Sequence, residues 1–441
     1  MSPLITIVGL GPGDPRFLTA EAHSVLATAP DIYLRTRQHP VVATLPNQHA
    51  LHSFDDLYEQ ACSFADLYRS IATEVLRLGE RPAGVVYAVP GHPLVGETSV
   101  QLILEGAEQQ GTDVRLVDGL SFVEPVLSIL KVDALHGLQL VDALDIAAQH
   151  SPLLDPDRPA LLGQLYSRQV ASDVKLTLLN VYPAEHRLML VLGAGTVASQ
   201  IIYLPLHELD RMEVDHLTSL YVPPLERPGS LLSFQELIAH LRSPMGCPWD
   251  REQTHQSLRP HLLEETYEVL AALDLDDPQE LKEELGDLLL QIMLHTQIAS
   301  ECGEFTMPDV VAYITEKLHR RHPHVFGEIT VGSTGEILRN WEEIKRGERG
   351  SQRVSSAFAG VSDALPALAR AQAIGERAAR AGLDYGDLDS AWDQVEKDLR
   401  HLRAAAEPED QERYLGEALF ALANLARWLN TDAESALREA T

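Results

Sequence analysis

The sequence has few cysteines, few basic residues and no long apolar run. Its three cysteines, Cys62, Cys247 and Cys302, are widely separated and lack metal-ligand spacing, which argues against a disulfide framework and favours a reducing compartment. Lysine and arginine number 35 against 65 acidic residues, a net charge of −30, so we expect neither nucleic acid nor a membrane as a partner. Neither a membrane span of roughly 20 apolar residues nor a signal peptide is recognisable, and we expect a cytoplasmic protein.

The chain does have length and apolar residues. With 441 residues, of which 45% are apolar, it should fold into two or three domains. Short β-rich runs alternate with helical stretches in the first half, which predicts an α/β architecture. Strands are predicted at residues 4–8, 84–89, 176–179, 188–192 and 219–222, and helices at 65–78 and 98–110.

Two breaks in composition predict the domain boundaries. Prolines and a glycine between residues 223 and 229 end the α/β pattern, and glycine, serine and charge mark residues 347–356. The predicted domains are therefore an α/β domain over residues 1–224 and two helical domains over residues 230–350 and 355–441. In the first helical domain, helices at 258–273 and 279–301 flank a short acidic turn, which indicates an antiparallel pair. In the second, helices are predicted at 364–381, 390–406 and 410–429.

Four acidic residues should converge in the predicted pair. Glu265 and Glu268 share one helix face, as do Glu284 and Asp287. Such spacing is common on a solvated face, but apolar residues flank Glu265 and Glu284 at −3 and +4, so both lie in stripes that should face the partner helix. Two like charges about 4 Å apart repel by about 4 kcal/mol at an effective dielectric of 20. A hard cation with oxygen ligands, Mg²⁺ or alternatively Mn²⁺, relieves this repulsion. Because magnesium typically binds substrate phosphates as well as carboxylates, the cluster also predicts a phosphate ligand.

The motif Glu-Glu-x-x-Glu followed by Glu-x-x-Asp resembles that of all-α nucleoside triphosphate pyrophosphohydrolases. Three further segments narrow the resemblance to the MazG family over about residues 232–347. These are Gly246-Cys247-Pro248-Trp249-Asp250, the basic segment 317–326 and the segment 341–345, Trp-Glu-Glu-Ile-Lys. The resemblance implies hydrolysis of a nucleoside triphosphate between its α- and β-phosphates, giving a nucleoside monophosphate and pyrophosphate.

The resemblance also implies roles for individual residues. Glu264 and Glu265 are the candidate catalytic residues, and the metal ligands would be Glu265, Glu268, Glu284 and Asp287. Positive charge for phosphate would come from Lys317, Arg320, Arg321 and Lys345. Trp341 would stack on a base or, alternatively, pack in the core. The spacing of His319, His322 and His324 does not form a standard zinc set.

The last segment resembles the acidic helix pair but departs from its motif. Aligning Gly416 with Gly286 places Tyr414 at the position of Glu284 and Glu417 at that of Asp287. Basic residues stand where the upstream acidic motif should be, which would put positive charge into a cation site; these are Lys397, Arg400 and His401. We therefore predict a degenerate copy with a packing or dimerisation role, and a homodimer through the helical domains.

Glycine loops follow two strands of the N-terminal domain. A structural tight turn explains such glycines by itself, but their order resembles the tetrapyrrole methylase family, whose two α/β lobes hold S-adenosylmethionine between them. The residues that this resemblance assigns to the cofactor are Gly9, Gly11, Pro12, Gly13, Asp14, Pro90, Gly91, His92, Pro93 and Ser121. His92 stands where many of these methylases have aspartate, which puts the usual substrate in doubt. The combination with MazG resembles the bacterial YabN-type fusion.

Three functions are compatible with these features. The first is a nucleoside triphosphate pyrophosphohydrolase with an accessory methylase-like domain, which the acidic motif favours. The second is an S-adenosylmethionine-dependent methyltransferase with a regulatory helical module. The third is a non-catalytic sensor of nucleotide or S-adenosylmethionine.

Overall fold

The computed structural model describes residues 4–45, 50–60, 63–327, 329, 332–333, 335–337, 340–341, 344 and 361–441. The chain divides into two compact units, Met1–Met307 and Pro308–Thr441, which we describe separately. The three domains predicted over residues 1–224, 230–350 and 355–441 stay a prediction, because compactness alone does not test them.

The first unit begins with a five-stranded parallel sheet in the order β3-β2-β4-β1-β5. Helix α1 covers one face, while α3 and α4 cover the other. The strands are β1 (Leu4–Gly9), β2 (Ile32–Leu34), β3 (Leu51–Ser53), β4 (Val85–Val89) and β5 (Asp113–Val117), and the helices α1 (Ala20–Thr28), α2 (Asp55–Gln60), α3 (Phe64–Gly79) and α4 (Thr98–Gln110). Strands β1 and β4 are neighbours in the sheet. The chain leaves β1 towards one face of the sheet and leaves β4 towards the other, and this arrangement opens a crevice at the carboxyl ends of the two strands.

A second, mixed sheet of five strands follows in the order β6-β7-β10-β8-β9. Strands β6 and β7 are parallel, and the other neighbours are antiparallel. The elements are α5 (Val123–Leu130), β6 (Gln139–Asp142), α6 (Ala143–Ala147), β7 (Ala160–Gly163), α7 (Arg168–Leu178), β8 (Arg187–Leu192), β9 (Gln200–Pro205) and β10 (Thr218–Val222). Two α/β lobes followed by helices confirm the predicted fold class.

The strand predicted at residues 176–179 is wrong, because these residues end or follow helix α7. The buried residues of α7 include Val170, Val174 and Leu178, which recur every four positions and form one helix face. The other predicted strands coincide with β1, β4, β8 and β10 to within one or two residues.

The remaining helices of the first unit form the start of the helical region. They are α8 (Leu231–Arg242), α9 (Pro248–Glu252), α10 (His255–Leu275) and α11 (Pro278–Glu301). Helices α8, α10 and α11 enclose a small apolar core around Ile238, Leu258 and Leu294. The predicted antiparallel pair is thus α10 and α11.

The second unit is helical throughout its described part. Its helices are α12 (Met307–Arg321), α13 (Pro323–Phe326), α14 (Ala367–Arg380), α15 (Leu388–Ala404), α16 (Pro408–Trp428) and α17 (Ala433–Ala440). Ala391, Val395 and Leu425 form the core between α15 and α16. None of the helices in the described ranges is long and apolar enough to cross a membrane.

A carboxylate of the second lobe fixes the start of the helical region. Asp157 accepts hydrogen bonds from the backbone nitrogens of Gly229 (2.7 Å) and Ser230 (3.1 Å). Ser230 in turn caps α8 by accepting from the Leu232 nitrogen. Two hydrogen bonds to Asp157 thus join the α/β lobe to the residues that begin α8.

We predict that Asp157→Ala loosens the segment that connects the α/β lobe to α8. Losing a carboxylate acceptor should speed amide exchange at Gly229 and Ser230 by roughly tenfold, since a hydrogen bond to a charged group contributes about 1.5–3 kcal/mol. Hydrogen exchange of a peptide spanning residues 223–232 measures this, with exposed Glu226→Ala as the matched control. Equal protection in all three proteins would contradict the tether.

Candidate active site

The geometry of the α10–α11 hairpin brings acidic side chains together. Helix α10 ends at Leu275, and the next residue, Asp276, caps it in a left-handed conformation with φ 53°. Asp277 then caps α11, its carboxylate accepting from the Gln279 and Glu280 nitrogens. This tight reversal sets the two helices side by side, so that residues near the middle of α10 face the first turns of α11.

Three of the predicted metal ligands converge there. One carboxylate oxygen each from Glu265, Glu268 and Glu284 lies within 4.8 Å of the other two. In the described part of the chain this is the one group of three or more side chains arranged to hold a metal ion. Asp287 is outside that group, but its charge acts on both Glu265 and Glu284.

Like charge and burial raise the pKa values of two of these groups. Burial raises the pKa of Glu265, and Asp287, Glu268 and Glu264 raise it further. Burial likewise raises the pKa of Glu284, with Glu268 and Asp287 adding to it. The folded hairpin therefore holds its carboxylates at an electrostatic cost. An oxygen-only donor set of this kind fits Mg²⁺ or Mn²⁺.

Glu264 lies beside the cluster and not within it. Its carboxylate is 3.6 Å from Nδ1 of His261, one turn earlier on α10. His261 in turn contacts the Trp249 ring edge-on, with centroids 6.5 Å apart. The tryptophan is 56% exposed, so a large aromatic surface is open to solvent next to the acidic face.

The segment carrying Trp249 is rigidly anchored. Gly246 has no room for a side chain, since a Cβ would lie 2.2 Å from the carbonyl oxygens of His240 and Leu241. The buried Arg242 guanidinium donates to the Asp250 and Gln253 carbonyls and pairs bidentately with Glu301 of α11 at 2.9 and 2.7 Å.

This anchoring explains most of the motif, but the exposed ring of Trp249 takes no part in it. Trp249 precedes the acidic motif by more than ten residues in the sequence. Its proximity to that motif in the folded protein could therefore not be predicted from the sequence alone.

The predicted phosphate-binding residues belong to the second unit. Lys317 lies on α12 with its ammonium 5.8 Å from the Tyr313 ring centroid, and Arg320 and Arg321 end that helix. The Trp341 indole nitrogen donates to the Arg321 carbonyl at 2.6 Å, and its ring meets His322 edge-on. Lys345 lies outside the described residues. The approach of these groups to the carboxylates stays a prediction.

The glycine loops of the first lobe meet at the carboxyl edge of the parallel sheet. Gly11 and Gly91 exchange backbone hydrogen bonds of 3.1 and 2.8 Å. A Cβ on Gly9 would lie 2.6 Å from the Gly91 oxygen and 2.7 Å from the Gly119 nitrogen, so close packing accounts for that glycine. Gly91 differs, because it has φ +67° and a Cβ there would meet only Ser121 Cα, at 3.9 Å.

The polar side chains predicted to bind the cofactor already have partners. Asp14 caps the following 3₁₀ turn and pairs with Arg16 at 2.7 Å, which lowers its pKa. Ser121 donates to Glu124 at 2.6 Å. His92 accepts from the Leu94 nitrogen at 3.0 Å.

The loop itself is held by the second lobe. Asp14 donates its backbone N–H to the Gly195 oxygen, Gly13 approaches Thr196, and Pro12 packs on Gly195. Pro90 and Pro93 frame Gly91 and His92. At this edge Gly91 thus has room for a Cβ, whereas Gly9 has none.

Sequence reasoning missed a buried ion pair near this edge. Arg35 follows β2, and its Nε lies 3.5 Å from the Glu97 carboxylate just before α4. Burial raises the pKa of Glu97 to about 7, against the effect of Arg35. The Arg35 Nε and Glu97 Oε2 atoms have no hydrogen-bond partner. The one available signal was the position of Arg35 at the carboxyl end of a strand.

Comparisons with known proteins agree with both halves of this architecture. The tetrapyrrole (corrin/porphyrin) methylase family matches residues 4–210, and the MazG nucleotide pyrophosphohydrolase domain matches residues 253–326. The chain therefore combines a methylase-like domain with a MazG-type domain.

Individual relatives extend the match to the whole chain. The uncharacterized protein YabN of Bacillus subtilis (strain 168) is 39% identical over 99% of this chain and 90% of its own length. The nucleoside triphosphate pyrophosphohydrolase/pyrophosphatase MazG of Thermotoga maritima is 46% identical over 47% of this chain and 81% of its own length.

The chain belongs to the YabN family of methylase–MazG fusions. Among solved structures, a uroporphyrin-III-C-methyltransferase from Thermus thermophilus is similar at 20% identity and a TM-score of 0.40, covering 50% of this chain and 94% of that one.

We predict that the acidic cluster destabilises the protein when no cation is bound. Glu265→Gln removes one of the repelling charges, so at neutral pH in chelator the variant should melt at a higher temperature than the unaltered protein. Added Mg²⁺ should raise the melting temperature of the unaltered protein and have little effect on the variant.

Scanning calorimetry with and without Mg²⁺ measures both effects. Glu236→Gln, an exposed glutamate on α8, is the control and should behave like the unaltered protein. A lower melting temperature for Glu265→Gln in chelator, or an equal Mg²⁺ response in all proteins, would contradict the prediction.

Proposed function

We propose that this chain hydrolyses nucleoside triphosphates to nucleoside monophosphate and pyrophosphate, and that the reaction requires Mg²⁺. The observation that carries the proposal is the set of carboxylate oxygens from Glu265, Glu268 and Glu284 within 4.8 Å of one another. The match to the MazG nucleotide pyrophosphohydrolase domain supports it.

The donor set supports Mg²⁺, with Mn²⁺ as an alternative ion. Glu265, Glu268 and Glu284 would hold it, with Asp287 adjacent. When bound, the ion would supply charge screening for the phosphates and lower the pKa of a coordinated water.

The protein's other groups would orient the substrate. Glu264, one position from Glu265 and outside the three-carboxylate group, would contact the substrate or help to position the attacking water and accept its proton. Lys317, Arg320, Arg321 and Lys345 would carry the positive charge for phosphate oxygens. Trp341 is proposed as a second contact for the substrate, although its hydrogen bond to Arg321 also fits a packing role.

Trp249 is proposed as the surface on which the nucleobase lies. Its exposed ring adjoins His261, which adjoins Glu264, and the anchored turn fixes its position before any ligand arrives. A preformed aromatic surface binds a base with little loss of side-chain freedom.

The proposal also covers the cofactor of the first domain, the oligomeric state and the location of the protein. The match to the tetrapyrrole methylase family supports S-adenosylmethionine as a ligand of the first domain, whose substrate is not assigned; a methyltransferase or a sensor of this ligand is the alternative function. Exposed leucines beside the acidic face, including Leu263, Leu270 and Leu285, support a homodimer through the helices. A cytoplasmic location fits the cysteine content.

Reaction products test the proposed function. Purified protein should convert members of a panel of nucleoside and deoxynucleoside triphosphates to monophosphate and pyrophosphate only when Mg²⁺ is present. Glu265→Ala should reduce the rate by at least about 100-fold, since it removes a ligand and a charge from the site. Chromatography that resolves monophosphate, diphosphate, phosphate and pyrophosphate checks this.

Glu236→Ala serves as the control for that series. Release of phosphate and diphosphate, or equal rates in Glu265→Ala and the unaltered protein, would overturn the proposal. No turnover across the panel with stable binding of S-adenosylmethionine would favour the alternative function.

The role of Trp249 can be separated from catalysis. Trp249→Ala should weaken binding of a nucleoside triphosphate by roughly tenfold, because base stacking contributes about 1–3 kcal/mol. Its affinity for inorganic tripolyphosphate, which has no base, should not change. Titration calorimetry in Ca²⁺ compares the two ligands, with Trp392→Ala as the control; an equal loss for both ligands would contradict base stacking.

A further inference from the structure

Two histidines join the start of α10 to the second half of α11. His255 is the first residue of α10, and its Nδ1 lies 2.8 Å from the Nδ1 of His295. The two rings are parallel to within 4°, and their centroids are 5.1 Å apart. His295 lies more than about two helical turns beyond Asp287, so this contact is separate from the carboxylate cluster.

The contact depends on a single hydrogen atom between the two rings. A neutral imidazole carries a hydrogen on one of its nitrogens, and a charged imidazolium carries one on both. One Nδ1 can therefore donate to the other while at least one ring is neutral. When both rings are charged, two N–H groups point at each other, and repulsion replaces the hydrogen bond.

The surroundings favour the neutral form of His295. Its Nε2 atom is buried and has no hydrogen-bond partner among the described residues. A charged His295 would carry a second N–H at that atom with no acceptor for it, which is costly. Burial lowers the pKa of His295, and the charge of His255 lowers it further. The folded protein therefore resists protonation of His295.

No neighbouring carboxylate offsets a second charge on the pair. Within the described part of the chain, His255 is the one titratable group whose charge acts on the pKa of His295. Arg242 of α8 is itself basic and pairs with Glu301 of α11 at 2.7 Å. The other charged or titratable residues of α8, of α9, of the first turns of α10 and of α11 on the near side of His295 are Glu236, His240, Asp250, Arg251, Glu252, Arg259, His261 and Asp287.

We propose that the His255–His295 contact is a proton-sensitive connection that holds the first turns of α10 against α11. It holds while the pair carries no more than one added proton, and it opens when the second proton binds. Leu258 lies one turn beyond His255 and Leu294 directly precedes His295, and both belong to the apolar core of these helices. Opening of the contact therefore loosens the edge of that core.

Opening would also reach the turn that carries Trp249. This turn enters α10 through Gln253 and Thr254, the residue that caps the helix. The surface proposed for the nucleobase would then be less firmly held at acidic pH. That consequence rests on the proposed function, whereas the contact and its response to protons do not.

The contact should lose its stabilising effect as the pH falls. In the unfolded chain, histidines gain a proton near the ordinary pKa of about 6.5. The folded pair takes up its second proton only at lower pH, because the pKa of His295 is lowered. Stability from the contact is therefore complete above about pH 6.5 and is lost as the pH falls through the lowered pKa, by up to about tenfold in the opening equilibrium for each pH unit.

Hydrogen exchange of the full chain at about pH 7 and about pH 5.5, on either side of the ordinary histidine pKa, tests the proposal. After correction for the intrinsic effect of pH, protection of a peptide spanning residues 258–263 should fall by about three- to tenfold at the lower pH. His295→Asn should show equal protection at both pH values, because its amide gains no proton in this range and can donate or accept towards His255.

Nitrogen NMR of the full chain with labelled histidine gives an independent readout. The ring nitrogen shifts should place the second protonation of the pair at the pH where protection falls. His240→Asn, exposed on α8, is the control and should respond to pH like the unaltered protein. Should His295→Asn fail to fold, as judged by circular dichroism, His255→Asn replaces it, since its amide can accept from a charged His295 and should likewise keep protection equal at both pH values.

Three results would overturn the proposal. The first is equal protection of the unaltered protein at both pH values. The second is a fall in protection in the asparagine variant as large as in the unaltered protein. The third is a set of ring nitrogen shifts that shows both histidines charged at about pH 7, above the ordinary histidine pKa.

Discussion

Repulsion among carboxylates at the α10–α11 interface is the constraint on which the rest of the site depends. Glu265, Glu268 and Glu284 bring oxygens within 4.8 Å of one another, and burial with mutual charge raises the pKa values of Glu265 and Glu284. Isolated helices would separate such charges. The hairpin holds them because Asp277 fixes the turn and because α8 packs against the other end of the pair.

The frame around this cluster is built to resist movement. The buried Arg242 joins α8, the Gly246–Gln253 turn and Glu301 of α11 in one hydrogen-bonded group, and its hydrogen bonds lower the pKa of Glu301. Asp157 ties the start of α8 to the α/β lobe. Fixed helices of this kind let a site keep like charges together until a cation binds, which is how preorganised sites avoid rearrangement.

The sequence predicted the structure best in segments where the pattern was long or chemically specific. The α10–α11 pair and its acidic faces followed from helical spacing, and three of the four carboxylates expected to converge do so, Asp287 lying outside the group. Short segments failed, because residues 176–179 can be either strand or helix when read alone, and β7 spans four residues. The exposure of Trp249 and the pairing of Arg35 with Glu97 depend on tertiary contacts that no local pattern encodes.

The central claim is that the carboxylate cluster is a site for a divalent cation. Anomalous diffraction from crystals soaked in Mn²⁺ locates such an ion directly. We expect a peak between α10 and α11 within about 2.0–2.4 Å of oxygens from Glu265, Glu268 and Glu284, and no peak in crystals of Glu268→Gln. A peak elsewhere, or none at millimolar Mn²⁺ in the unaltered protein, would contradict the account.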